Sequence, residues 1–291
     1  MDNSDLLNRI RELCNPLQPI PTGHPGRTKP MPGIRAVLFD IYGTLMISAS
    51  GDIDAGSLGD TGSAFAQSLQ SVGLGKYAPA GDGSRLLHEE VQRSHEQRRA
   101  EGIDYPEVDI LSIWGRVLDR LQVPEGTVDD IAPTLAVEYE CRTNPVWPMP
   151  GLAETLVALR EQGLVMGIVS NAQFYTPLTF EALVGQSLEE LGFDAGADAW
   201  SYRLLEGKPS PRMYQSAIEG LERLGISAAE TLYVGNDMLK DVWPAGLCGL
   251  NTVLFSGDKR SLRLRQDDVR CDGVMPTRVI NQLSELLGIL G

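Results

Sequence analysis

Residues 35–40 read Arg-Ala-Val-Leu-Phe-Asp, an unbroken apolar run that stops on a carboxylate. A strand with one wet face alternates apolar and polar side chains, so a continuous run marks a strand buried on both faces. Burial on both faces restricts the fold, because helices must then cover the sheet from each side. The rest of the chain supplies them. Helical periodicity covers 151–162, 210–224 and 278–288, and runs at 164–170, 198–203, 231–235 and 251–255 read as strands. Strands alternating with helices build βα units, so the expected fold class is α/β with a Rossmann-like parallel sheet.

Two segments fall outside this alternation. Leu6, Leu7, Ile10 and Leu13 recur at helical spacing within 4–14, and 15–33 are dense in Pro and Gly. An N-terminal helix and an extended arm are therefore expected over 1–33. From about 52 to 146 the pattern is mostly helical, with helices expected at 62–73, 83–101, 107–122 and 127–142. This block, 46–148, is expected to be an inserted helical cap, which leaves 34–45 and 149–291 as the α/β core. Within it Ile110, Ile113, Trp114, Val117, Leu118 and Leu121 form a stripe facing the cap's own interior.

Composition removes several classes of function. Lys and Arg number 25 against 39 Asp and Glu, a formal charge of −14, which disfavours binding to nucleic acid or an anionic membrane. One local cationic pocket still suffices for an anionic small molecule. The four cysteines, Cys14, Cys141, Cys248 and Cys271, are far apart with no CxxC pair. They read as reduced thiols of a cytoplasmic protein rather than a zinc or redox centre. No run reaches the roughly eighteen apolar residues of a membrane helix. His88 and His95 fall near one helical face beside Arg93 and Arg98, which reads as a solvated charged face before it reads as a metal site.

Parallel sheets bind ligands at the carboxyl ends of their strands. Asp40 ends the first strand, Ser170-Asn171 the second, and Gly235-Asn236-Asp237 a later one. Between them Lys208 precedes a helix that Ser210 can cap, with Pro211 at its first position. An acid, a hydroxyl with an amide, an amine and a second acidic cluster thus share one rim.

Taken in order, Asp40-Ile41-Tyr42-Gly43-Thr44, Ser170-Asn171, Lys208-Pro209 and the stretch Gly235 to Asp241 resemble the four motifs of the haloacid dehalogenase superfamily. The resemblance spans about residues 35–260 and places that family's helical cap at 45–148. It implies that Asp40 is a nucleophile, that Lys208 holds it charged, and that Thr44, Ser170 and Asn171 serve the transferring group. It also implies a Mg²⁺ ion held by Asp40, the main-chain carbonyl of Tyr42, and Asn236 or Asp237. Asp241, the second acid of the fourth motif, completes a catalytic set with Asp40, Tyr42 and Lys208.

The sequence departs from the phosphatase branch at position 42, where that branch carries a second Asp as general acid and base. A tyrosine titrates near 10 and is a poor base at neutrality. Tyr42 and Tyr214 instead resemble the L-2-haloacid dehalogenase branch, whose halide leaves without a proton. No Arg stands between Tyr42 and Arg85 to match that branch, and the fourth motif keeps a metal-type frame with Asn236 in the first acid's place. Three readings result: a Mg²⁺-assisted hydrolase of a small phosphorylated or anionic metabolite, a metal-free dehalogenase, and a fold retained for binding with little turnover.

Overall fold

The computed structural model of the chain describes residues 3–51, 60–124, 126 and 128–290. In chain order its strands are β1 (Ala36–Phe39), β2 (Met46–Ser48), β3 (Val146–Pro148), β4 (Val165–Ser170), β5 (Ala199–Trp200), β6 (Thr231–Gly235), β7 (Asn251–Phe255) and β8 (Arg278–Ile280). Six of them form one parallel sheet in the order β5-β4-β1-β6-β7-β8. β1 lies inside the sheet with every residue buried, as its unbroken apolar run requires. Phe39 is level with Ile168 of β4 and Val234 of β6. That register brings Asp40, Ser170 and Asn236 to the same rim.

The helices before and between these strands begin with α1 (Asn3–Leu13), α2 (Thr61–Ser71), α3 (Ser84–Ala100), α4 (Ile110–Arg120) and α5 (Val128–Thr143), followed by α6 (Leu152–Glu161) and α7 (Thr176–Leu183). α2 to α5 lie between β2 and β3 in sequence, and those two strands pair antiparallel. Three-residue strands beside prolines leave little pattern in a sequence, and neither was anticipated. Residues 52–59 of this segment, and position 127 at the expected start of its last helix, lie outside the described residues. α4 starts at Ile110 rather than 107 because Asp109 caps it, its carboxylate accepting from Leu111 N at 3.1 Å. The expected stripe is inward: Phe65 stacks on Trp114 at 5.5 Å, and Tyr139 meets Trp114 edge-on at 5.6 Å.

Two expectations change. Residues 198–203 hold only the two-residue β5, after which Ser201–Leu204 turn helical. The Ser201 hydroxyl accepts from Ala172 N at 2.9 Å and so ends the ladder. Residues 278–288 open as a strand, because β-branched Val279 and Ile280 take ladder positions beside β7. The helix begins only at Glu285, whose carboxylate accepts from Asn281 N and Gln282 N.

The Pro- and Gly-rich arm is extended, and it is docked along the sheet edge. Arg27 N donates to Val279 O at 2.8 Å and Thr22 Oγ1 to Ser256 O at 2.7 Å. α1 is tied to α5 through Glu138, fully buried, which receives Arg9 and Arg142 at 2.6 Å each. No helix among the described residues is long and apolar enough to cross a membrane.

Candidate active site

Asp40 follows the last residue of β1, and its N–H donates to Val234 O at 2.9 Å. The chain then turns sharply. Ile41 O accepts from the N–H groups of Thr44, Leu45 and Met46, and Gly43 takes φ +83°. A Cβ at Gly43 would stand 2.4 Å from Ser261 Cβ and 2.9 Å from Asn236 Nδ2, so glycine is needed for both backbone shape and close approach. Thr44, fully buried, donates to Asn236 Oδ1 at 3.1 Å.

Ser170 Oγ and Lys208 Nζ both donate to one oxygen of Asp40, Oδ1, at 3.0 and 2.7 Å. Among the described residues no hydrogen bond falls on Oδ2. Lys208 Nζ also donates to Asp241 Oδ1 at 2.6 Å and to the Tyr233 hydroxyl at 3.2 Å. Burial alone would lower the Lys208 pKa, but Asp241 and Asp40 outweigh it and push it up to about 12. Burial raises Asp241 to about 6 against the pull of Lys208. Asn171 Oδ1 accepts from Lys208 N at 2.7 Å and so sets the height of the lysine. Gly235 lets Asp241 pack against the end of β6, where a Cβ would come within 2.3 Å of its carboxyl carbon.

These groups surround a cleft of about 50 Å³ lined by Asp40, Tyr42, Asn171, Lys208, Asn236 and Asp241, with Lys240 and Arg263 among its cations. Thr44 and Ser170 are fully buried and contact Asn236 and Asp40 rather than the open space. Lys240, Arg263 and Tyr233 are additions to the set read from sequence. Lys240 lay inside the fourth motif, Arg263 gave no local signal, and Tyr233 looked like any strand residue.

Tyr42 is buried, and its hydroxyl is 2.8 Å from Thr176 Oγ1 at the start of α7. Burial first, and then the nearby Glu140, raise its pKa well above 10, so it is held as a neutral phenol. Tyr214 is also fully buried, edge-on to Tyr233 at 5.1 Å, with its hydroxyl on Lys240 O. It belongs to the packing beneath the cleft.

The fourth-motif side chains differ sharply in what they have free. Asp237 accepts from Leu239 N and Lys240 N and is gripped by Arg265, Nη2 at 2.5 Å and Nε at 3.1 Å. Asn236 donates its amide N–H to Ser261 O at 2.6 Å, while among the described residues Oδ1 accepts only from Thr44 and keeps a second lone pair. Among the described residues no cluster of three or more His, Cys, Asp or Glu is arranged to hold a metal. The oxygens that remain are the Asp40 carboxylate, the Tyr42 carbonyl and Asn236 Oδ1. All three are hard donors that suit Mg²⁺ with waters completing its shell, and one of the three is charged.

The profile of haloacid dehalogenase-like hydrolases matches residues 34–249. A glyceraldehyde 3-phosphate phosphatase of Methanocaldococcus jannaschii is 31% identical over 49% of this chain and 56% of its own length, so the chain spans little more than half of that relative. The glyceraldehyde 3-phosphate phosphatase of Methanopyrus kandleri is 26% identical over 88% of this chain and 97% of its own length. The phospholysine phosphohistidine inorganic pyrophosphate phosphatase of Xenopus laevis is 28% identical over 89% and 95%. Among solved structures, a 2-haloacid dehalogenase from Pseudomonas syringae superposes with a TM-score of 0.60 at 19% identity, covering 87% of this chain and 96% of the other. That likeness is one of fold.

Proposed function

This chain belongs to the haloacid dehalogenase-like hydrolase family, and we propose that it hydrolyses small phosphorylated metabolites, with Asp40 as nucleophile and the helical segment 46–148 as a cap over the cleft. One observation carries the reading. Ser170 and Lys208 hold Asp40 through the same oxygen. A carboxylate clamped in this way is fixed in place and presents its other oxygen to an electrophile. The named phosphatases that match along nearly their whole length support the substrate class.

Attack of Asp40 Oδ2 on phosphorus forms an aspartyl phosphate and expels the leaving group. Water then attacks phosphorus, freeing Asp40 and inorganic phosphate. Lys208, Lys240 and Arg263 oppose the charge on the transferring oxygens, and Asn171 fixes the lysine. Ser170 and Thr44 act from behind, on Asp40 and Asn236. Mg²⁺, when bound by Asp40, the Tyr42 carbonyl and Asn236, supplies further positive charge to the phosphoryl group.

Tyr42 favours a second reading, metal-free dehalogenation, because its phenol is neutral and tied to Thr176. A parallel assay of phosphate esters and 2-haloacids, each with Mg²⁺ and with chelator, separates the two. The expected result is phosphate release that falls with chelator and disappears in Asp40→Asn. Chelator-resistant halide release with no phosphate release overturns the proposal.

A further inference from the structure

Tyr42 lines both the cleft and a second, larger cavity of about 210 Å³. The floor of this cavity is the loop after β4, where Ala172 and Gln173 follow the cleft residue Asn171. Its walls come from α3, α4, α5 and the segment just before α4 and are largely apolar, among them Leu87, Val91, Val108, Ile110, Trp114 and Ala136. A dry cavity of about 150 Å³ is enough to take up benzene, so this one has room for a ring with a substituent.

Its polar groups narrow the ligand further. No Lys or Arg lines the cavity among the described residues, while two carboxyls, Glu107 and the buried Glu140, and the imidazole of His95 do. A second phosphate or a carboxylate on the ligand would meet those two acids with no Lys or Arg, and a single imidazole, set against them. Trp114 is fully buried and its Nε1 has no hydrogen-bond acceptor among the described residues. Its flat ring forms part of the apolar wall of the cavity.

The cleft makes a matching demand. Tyr42 replaces the acid that would protonate a leaving alkoxide, and its own phenol is engaged with Thr176. Without a general acid, loss of an ordinary alcohol slows by roughly 10²–10⁴-fold. A phenol-type hydroxyl titrates near 10, as in tyrosine, and leaves as its anion without that help.

Resting on the phosphatase reading above, we propose that the substrate is the phosphate monoester of a neutral aromatic hydroxyl compound, its ring seated between Tyr42, Trp114 and Ala136. The bond from Asp40 Oδ2 to phosphorus forms as the bond from phosphorus to the ring oxygen breaks. The electron pair departs as an aryloxide, which takes its proton from solvent.

The test compares kcat/KM of the full chain for phenyl phosphate, cyclohexyl phosphate, glycerol phosphate and acetyl phosphate. Phenyl phosphate is expected to exceed both cyclohexyl and glycerol phosphate at least a hundredfold. Ala136→Phe, and Val91→Phe as a second filling variant at a less buried position, are expected to lower the ratio of phenyl to acetyl phosphate turnover at least tenfold. Equal turnover of phenyl and glycerol phosphate, or a ratio unmoved in whichever filling variant folds, overturns the aromatic substrate and leaves the phosphatase intact. No turnover of any of the four phosphate compounds overturns the phosphatase reading itself.

Discussion

Lys208→Met tests the electrostatic arrangement of the cleft without any substrate. The ammonium donates to Asp40 at 2.7 Å and Asp241 at 2.6 Å with its side chain 3% exposed. Breaking a buried pair by removing one partner costs about 3–5 kcal/mol. The two acceptor oxygens share one nitrogen, so they are at most about 5 Å apart, and at an effective dielectric of ~20 two bare charges there repel by about 3 kcal/mol. That repulsion is worth roughly 2 pKa units on one of the carboxyls. The sign with pH follows from proton binding. A carboxyl raised in the folded state holds a proton that the unfolded chain has released, so stability falls as pH rises between the two values. In the wild type that window for Asp241 runs from 3.8 to about 6. In the variant it extends upward to about pH 8. Lys208, raised from 10.5 to about 12, contributes stability that is fully present below 10.5 and lost as pH climbs through 12. Urea unfolding followed by circular dichroism, with an m-value of about 3 kcal/mol/M, should show the variant midpoint lower by about 1 M or more at pH 8.5. Much of that loss should recover at pH 5.5, where the wild-type midpoint changes little. A deficit below about 0.3 M, or one equal at both pH values, would refute the reasoning.

Asn236→Asp adds a second carboxylate beside Asp40, and calorimetric Mg²⁺ affinity should tighten roughly tenfold; unchanged affinity would remove Asn236 from the metal's oxygens. Glu138→Gln weakens the clamp of Arg9 and Arg142 on α5, at a cost of about 3 kcal/mol. Limited proteolysis should then cut the 15–33 arm faster, and an unaltered digestion pattern would show that α1 is held by its apolar face alone. Gly43→Ala forces a Cβ into Ser261 at a φ of +83°. A loss of about 2 kcal/mol, read as a melting point lower by roughly 5 °C, is expected, and an unchanged midpoint would mean the turn relaxes freely.

The parts of the fold that could be read from sequence are those whose burial leaves a mark on residue type. β1, β4, β6 and β7 are buried on both faces and therefore spelled as apolar runs. β5, two residues long, and β8, whose Val279 and Ile280 lead into a helix of similar composition, carry too short a signal to separate strand from helix. The rim of the site was legible because an acid or amine at a strand end interrupts an apolar pattern. The use of each acid was not. Asp237 and Asn236 are neighbours in sequence, yet only the fold brings Arg265 onto Asp237, through contacts 28 residues apart in the chain. Nor does the strand Thr231–Gly235 reveal that Tyr233 shares Lys208 with Asp241.

The substitutions at 42 and 236 gain sense when considered together. Each puts a neutral group where the resemblance would place a carboxylate. The cleft then holds Asp40 and Asp241 around Lys208, with Lys240 and Arg263 beside them and Asp237 already neutralised by Arg265. A rim with two fewer negative charges repels a phosphate dianion less and binds a divalent cation more weakly, since each is an interaction of charge with charge. The loss at 42 also removes the proton donor. Both changes therefore relax the same two demands, for a metal to offset negative charge and for an acid to release a poor leaving group. A substrate whose leaving group departs unprotonated is the one for which neither loss is costly, and the largely apolar cavity beside Tyr42 has the volume for the aromatic ring that makes such a leaving group.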